Sequence, residues 1–164
     1  MDYTICYAQA RNQTTHAHQL AMAVVYYSPL VFLYWYDKPV KYAQGEWPEL
    51  EWFADCPTSW QETSALSGHI GEYVAVARRA QGRWFIGEMT NEAPRALELS
   101  LSFLGPGVWE ATIYADPAPG PSEATARVSI RRVTVDADTR LLVELAANGG
   151  QAIRFERPNT VLQG

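Results

Sequence analysis

From Trp60 onward the chain is written in short apolar runs that end at turn signals, and this pattern restricts the fold more than any other feature of the sequence. Tyr73 to Arg78 stops at Ala80-Gln81-Gly82, and Trp84 to Thr90 stops at Asn91-Glu92-Ala93-Pro94. Leu97, Leu99, Leu101 and Phe103 alternate before Gly105-Pro106-Gly107, and Val108 to Tyr114 precedes a Pro-rich loop from Asp116 to Ser122. Ala126 to Val135 ends at Asp136-Ala137-Asp138, Leu141, Val143 and Leu145 alternate before Asn148-Gly149-Gly150, and Ala152 to Glu156 is a last run. Successive side chains of a strand point to opposite faces, so alternation marks half-buried strands. Such runs at spacings of about 8–12 residues, joined by tight turns, predict an antiparallel β-sandwich of seven or eight strands. No crossover helix fits between them, which argues against a parallel sheet in this part.

Residues 1–57 read differently from residues 58–164, and the two are expected to be separate regions, a helical one and a sandwich. Thr14-Thr15 can cap a helix that begins near His16. Leu20, Val24, Tyr27 and Val31 recur at helical spacing, with Ala21, Val25 and Leu30 widening the stripe. One long helix is therefore expected through Leu20–Trp35, kinked or broken at Pro29, which lacks a backbone donor. A second, short helix fits Pro48 to Ala54, with Pro in its first turn, and Asp37 to Trp47 reads as a surface connection. The expected class is mainly β, a sandwich preceded by one long and one short helix. A lone apolar helix beside a sandwich leaves one face wet, and each large aliphatic side chain left uncovered forgoes about 1.5–3 kcal/mol. Leu20–Trp35 therefore calls for a cover, either a missing N-terminal domain or a partner chain.

Several function classes fall away. Ala17 to Tyr36 carries no Asp, Glu, Lys or Arg, but its strongly apolar part is about 16 residues, short of the roughly 20 that a spanning helix needs, so no membrane partner is expected. Met1 is followed by Asp2 rather than by a basic segment, so no signal peptide is expected, and the compartment stays open. The formal charge is −5 with no basic stripe, which speaks against nucleic acid. There is no Cys-x-x-Cys, no His-Glu-x-x-His, no Gly-x-Ser-x-Gly and no phosphate loop. His16-Ala17-His18 would share a face in a strand and could hold zinc there, but at a helix start the two rings diverge, so no metal site is expected. Cys6 and Cys56 are compatible with one disulfide or two thiols.

Two constellations relate to sugars. A glycosidase needs two carboxylates across a cleft. The candidates are Asp2, Glu46, Glu62, Glu72, Glu88 and Glu92, and Glu72 and Glu88 lie in or beside neighbouring strands, although nothing in their spacing demands a pair. The six Trp of the 164 residues raise a second reading, a carbohydrate-binding module that stacks sugars on exposed rings. Trp47, Trp52, Trp60, Trp84 and Trp109 are the candidates, with Trp84 and Trp109 placed by alternation in the core.

An ordered series of motifs carries a family resemblance over most of the chain. Met1-Asp2-Tyr3-Thr4 resembles the Met-Asp-Tyr-Thr motif late in the catalytic barrel of glycoside hydrolase family 97, the alpha-glucosidase and alpha-galactosidase group. His18-Gln19-Leu20-Ala21 and Val24-Val25-Tyr26-Tyr27-Ser28-Pro29-Leu30 are similar to its final barrel helix. Pro57-Thr58-Ser59-Trp60-Gln61-Glu62-Thr63 is similar to its link into the C-terminal domain. Ile70-Gly71-Glu72-Tyr73-Val74 with Ala77-Arg78-Arg79, then Trp84-Phe85-Ile86-Gly87 with Met89-Thr90, resemble that domain's first two strands. Ile5-Cys6 stands where family members usually have Pro-Gly.

The resemblance implies the tail of a (β/α)8 barrel in residues 1–57 and a C-terminal β-sandwich in residues 58–164. The expected role is non-catalytic: packing against the missing barrel, or self-association through Leu20–Trp35. The family's acid and base glutamates and its calcium-binding glutamates lie upstream of Met-Asp-Tyr-Thr, so no catalytic residue carries over. No cofactor is implied for this chain either, with calcium expected only in full-length members. Asp2 is the one residue the resemblance places near the barrel's active-site end, as a candidate substrate contact. Full-length members are commonly exported.

Overall fold

The computed structural model describes residues 3–7, 13–34, 47–118 and 127–158. Strands β3 (Glu62–His69), β4 (Tyr73–Ala80), β5 (Arg83–Thr90), β10 (Gly150–Glu156), β7 (Trp109–Ala115) and β8 (Ser129–Val135) lie side by side in that order. All their pairings are antiparallel. β6 (Arg95–Ser100) and β9 (Arg140–Leu145) form an antiparallel ribbon that faces this six-stranded sheet. The β4–β5 hairpin turns on Gln81 and Gly82, both at positive φ (52° and 74°), the two-residue turn whose twist matches its strands.

The alternation read from the sequence appears directly in β9, where Leu141, Val143 and Leu145 are buried while Leu142 and Glu144 are exposed. Leu141, Val143 and Leu145, with Leu99 and Leu101, close the sandwich core over Trp84, Ile86, Ile113, Ile153 and Phe155. Seven of the eight strands after Trp60 follow expected runs, with ends shifted by a few residues. β3 has no such run. It is an edge strand, mostly exposed, with a register shift between Ala65 and Ser67, so its side chains have no strict apolar alternation to display. The run expected through Phe103 stops at Ser100, and Ser102–Leu104 is a 3-10 turn.

The second face of the sheet carries the N-terminal elements. Helix α1 (His16–Val25) starts at Thr15, whose Oγ1 accepts from His18 N at 3.1 Å. It lies across β5 and β10 with Leu20, Ala21 and Val24 fully buried. A 3-10 turn (Pro48–Leu50) leads into α2 (Glu51–Asp55), as Pro at the first turn predicts. Trp52 of α2 is fully buried; its Nε1 donates to Leu20 O at 3.0 Å, and its ring centroid lies 5.8 Å from Phe85 and 5.4 Å from Tyr114. A second core therefore joins Ile5, Tyr7, Leu20, Val24 and Trp52 to Phe85, Tyr114 and Ala152 of the sheet.

Two expectations are corrected here. The long helix through Leu20–Trp35 ends at Val25, and Val31–Tyr34 is a strand, β2, parallel to β1 (Tyr3–Cys6); Trp35 lies outside the described residues. Tyr26 is already extended, at ψ 121°. The Ser28 hydroxyl accepts from Leu30 N at 3.2 Å and donates to Leu30 O at 2.7 Å, and Pro29 has no N–H to continue a helix. Val31-Phe32-Leu33-Tyr34 is β-branched and aromatic, suited to a pleated strand once an edge is present. The helix also does not wait for an outside cover. Because β5 and β10 present Phe85, Gly87 and Ala152 to this side and are buried on both faces, the chain's own sheet buries it. The connection expected at Asp37 to Trp47 falls mostly on residues 35–46, outside the described residues.

Candidate functional site

β1, α1 and β2 form a β-α-β unit with register Tyr3↔Val31 through Cys6↔Tyr34. Among the described residues each of these strands pairs only with the other, so both outer edges are open. The apolar surface is concentrated beside them. Tyr27 is 62% exposed, Leu30 51%, Phe32 54% and Leu33 42%. Neighbouring strand residues point to opposite faces, so exposure of both Phe32 and Leu33 leaves both faces of β2 open. A groove of about 140 Å³ runs alongside, lined by Ile5, Ala23, Val31, Leu33, Phe53 and Cys56 among others.

Hydrogen bonds tie this surface to the elements beneath it. Tyr3 Oη donates to Met22 O at 3.0 Å, and Arg78 Nη2 donates to Val25 O at 3.3 Å at the C-terminal end of α1, where a cation is favoured. The Arg78 guanidinium lies 5.2 Å from the Tyr27 ring centroid and 5.7 Å from that of Trp60. Burial pushes the Tyr3 phenol and the Cys56 thiol each up to about 12, so neither ionises at neutral pH. Cys6 and Cys56 are not joined in a disulfide. Acidic side chains fasten the α2 region: the buried Glu49 Oε1 accepts from Tyr7 Oη and Arg127 Nε, each at 3.0 Å, and the partly exposed Asp55 pairs with Arg154. The Tyr114 hydroxyl donates to Glu51 Oε1 at 2.5 Å. Tyr7 and Tyr114 are held well above the usual phenol range, by burial first and then by these carboxylates.

The carboxylate candidates scatter. Asp2 and Glu46 lie outside the described residues. Glu62 pairs with Arg79 at 3.0 Å, and Glu72 on the β3–β4 turn pairs with Arg95 at 2.7 Å and His69 at 3.0 Å. Glu92 is exposed. Glu88 sits inside the sandwich at 0% exposure, where a substrate cannot reach it as a partner of Glu72. His16 and His18 do stand at a helix start; His18 Nδ1 is 3.1 Å from Gly149 O, and the His16 ring packs edge-on against Tyr7 at 5.0 Å. Burial lowers both imidazoles below the ordinary histidine value. Among the described residues no group of three His, Cys, Asp or Glu is placed to hold a metal ion, and no helix is long and apolar enough to cross a membrane. Trp52, Trp84 and Trp109 are buried, while Trp47 and Trp60 are half-buried, each beside an arginine side chain. The open β-α-β unit was missed in the sequence, although Val31-Phe32-Leu33-Tyr34 after Ser-Pro carried a strand signal.

Residues 59–156 match the family described as the glycosyl-hydrolase 97 C-terminal, oligomerisation domain. The chain belongs to this family. The family 97 C-terminal chain is similar to a retaining alpha-galactosidase of Bacteroides thetaiotaomicron, 34% identical over 156 residues, which cover 94% of this chain and 23% of that protein. A probable retaining alpha-galactosidase of Streptomyces bingchenggensis is 33% identical over 149 residues, 88% of this chain and 21% of the relative. Among solved structures, a glycoside hydrolase family 97 enzyme from Pseudoalteromonas sp. strain K8 in complex with acarbose has a TM-score of 0.76 at 36% identity, covering 89% of this chain and 23% of that one. The family 97 C-terminal chain thus spans about a quarter of the length of the relatives it matches.

Proposed function

We propose that this chain is the non-catalytic closing part of a family 97 alpha-glycosidase. In this reading residues 1–57 are the tail of a (β/α)8 barrel, residues 58–164 are the C-terminal sandwich, and the chain works by packing against catalytic polypeptide that it does not contain. One observation carries the reading: among the described residues β1 and β2 form a parallel sheet of two strands, with no further strand on either edge. Parallel strands occur almost only in large sheets covered on both faces, and an isolated strand pair is at best marginally stable. The exposed residues from Tyr26 to Leu33 are the side chains that such a sheet would bury. The carboxylate pair, calcium and substrate specificity belong to the rest of the enzyme in this reading, and the family resemblance makes Asp2 the one candidate substrate contact of this chain.

Self-association through the same Tyr26 to Leu33 surface is the second reading, favoured by the family's description as an oligomerisation domain. One pair of measurements tests both. The purified chain is expected to release no nitrophenol from nitrophenyl α-galactoside or α-glucoside, with or without calcium, and to associate in light scattering. Hydrolysis above background overturns the non-catalytic reading. A monomer whose Val31–Leu33 amides resist hydrogen exchange overturns the open-edge reading, because an uncovered strand pair exchanges rapidly.

A further inference from the structure

The turn between β3 and β4 presents an isoleucine to water. Glu72 N donates to His69 O at 3.0 Å and closes a four-residue turn, in which Gly71 takes a φ of 79°, as at the third position of a type II turn. Turn positions favour Gly, Pro, Asn, Asp and Ser. Ile70 occupies one here and is 99% exposed. The turn is braced from several sides. Asn91 Nδ2 donates to Gly71 O at 3.1 Å, and Asn91 N donates to Glu72 O at 2.9 Å. Arg95 Nη2 donates to Glu72 Oε2 at 2.7 Å, and the Ser67 and Tyr73 hydroxyl oxygens are 3.0 Å apart. Ile70 is therefore an apolar knob on a fixed tip, with little backbone freedom left to lose on binding.

A groove of about 500 Å³ lies against this tip, with Tyr26, Gly68, Tyr73, Val74 and Met89 among its lining residues and Ile70 at its edge. Tyr26 also begins the exposed surface that runs to Leu33, so groove and surface are continuous. A knob beside a groove is self-complementary, because a two-fold axis sets each copy's knob against the other copy's groove. The oligomerisation description attaches to residues 59–156, which contain Ile70 and most of the groove but neither Phe32 nor Leu33. Two other large apolar side chains stand exposed among the described residues of that segment, Val108 and Leu142. Leu142 is opposite Glu98 on the ribbon and stands between Arg140 and Glu144 on the same face of β9, a charged setting suited to water.

We propose that two copies of this chain associate through a two-fold contact in which Ile70 of each copy enters the groove of the other. This contact rests on the self-association reading and extends the Tyr26 to Leu33 surface across the β3–β4 turn. The test is the dissociation constant of the dimer, from light scattering over a concentration series. Ile70→Ser removes the knob and leaves the groove. Gly68→Phe fills the groove and leaves the knob, at an exposed edge-strand position where an added Cβ stands 3.3 Å from its nearest neighbour, Tyr73 O. Each variant is expected to unfold cooperatively and to weaken association by about tenfold or more. An equal mixture of the two is expected to associate more tightly than either alone, because each mixed pair regains one knob in one groove. Wild-type association that Ile70→Ser leaves unchanged overturns this contact and leaves self-association to other residues. A mixture no tighter than its components overturns the reciprocal seating. A wild-type chain that stays monomeric overturns both the contact and the self-association reading, and assigns the groove to the catalytic polypeptide.

Discussion

The carbonyl oxygen of Ala21 in α1 rests against Gly87 of β5, so closely that a methyl carbon built at Gly87 would stand 2.6 Å from it and 2.9 Å from Val24 Cβ. Gly150 on the adjacent strand repeats the arrangement, with a methyl carbon there 2.5 Å from His18 Cα. The helix lies backbone-on-sheet because two neighbouring strand positions carry no side chain. Gly87→Val is expected to lift α1 and to cost about 1–3 kcal/mol through overpacking. Urea unfolding followed by tryptophan emission checks this, since Trp52 is wedged between α1 and the sheet. An unchanged midpoint would mean that the helix is not docked there.

Glu88 gives stability a pH dependence with a defined sign. Burial raises its folded-state value from the ordinary 4.5 to about 8, so between these limits the folded chain holds a proton that the unfolded chain has lost. Stability from this group is complete below about pH 4.5, falls as pH rises, and levels off above about 8. Each unit of displacement corresponds to about 1.4 kcal/mol. Glu88→Gln, which cannot ionise, should flatten the curve of urea midpoint against pH over that window. A wild-type midpoint that stays level, or climbs, from pH 5 to pH 8 contradicts the assignment.

Phe32 and Leu33 expose opposite faces of β2, and replacing both with Ser should remove association without touching either core. The expected result is a fall in light-scattering mass toward the monomer, together with weaker binding of a hydrophobic dye. Surface substitutions usually change stability within about 0.5 kcal/mol, so the unfolding midpoint should hold. An unchanged mass in the double variant would place the self-contact elsewhere.

Glu49 is 3% exposed and serves Tyr7 and Arg127 at once. Glu49→Ala removes a partner from each. The loss should fall below the roughly 3–5 kcal/mol of a fully buried pair, because the Arg127 side chain keeps 30% of its exposure. Glu49→Gln retains an acceptor for the Tyr7 hydroxyl and should lose less. Equal midpoints for the alanine and glutamine variants would show that the charge, not the hydrogen bond, matters there.

The sandwich strands were legible because β9 and its neighbours alternate between a core and water, and Gln81-Gly82 and Asn148-Gly149 mark their turns. The 3-10 turn and helix near Trp52 were legible from Pro48. The β2 strand was not, because Leu20 to Leu33 is apolar at every spacing, so helical and strand periods fit it equally. Glu88 read as one of several possible acids, since its isolation depends on Ala75 and Gln151, its neighbours on strands far away in sequence. The Trp candidates could not be sorted by exposure from alternation alone, because Trp52 and Trp60 lie outside any alternating run.

By itself the sequence determined the local grammar: which runs are strands, where they turn, that Thr15 caps a helix, and which motifs match family 97. Those signals act between residues a few positions apart, where backbone sterics and side-chain period decide. Only the tertiary structure decided that the sheet is covered on both faces, that Gly87 and Gly150 form the bed for α1, and that β1 and β2 meet in parallel. Those outcomes depend on which distant surfaces exclude water from one another, and burial of apolar area has no direction along the chain.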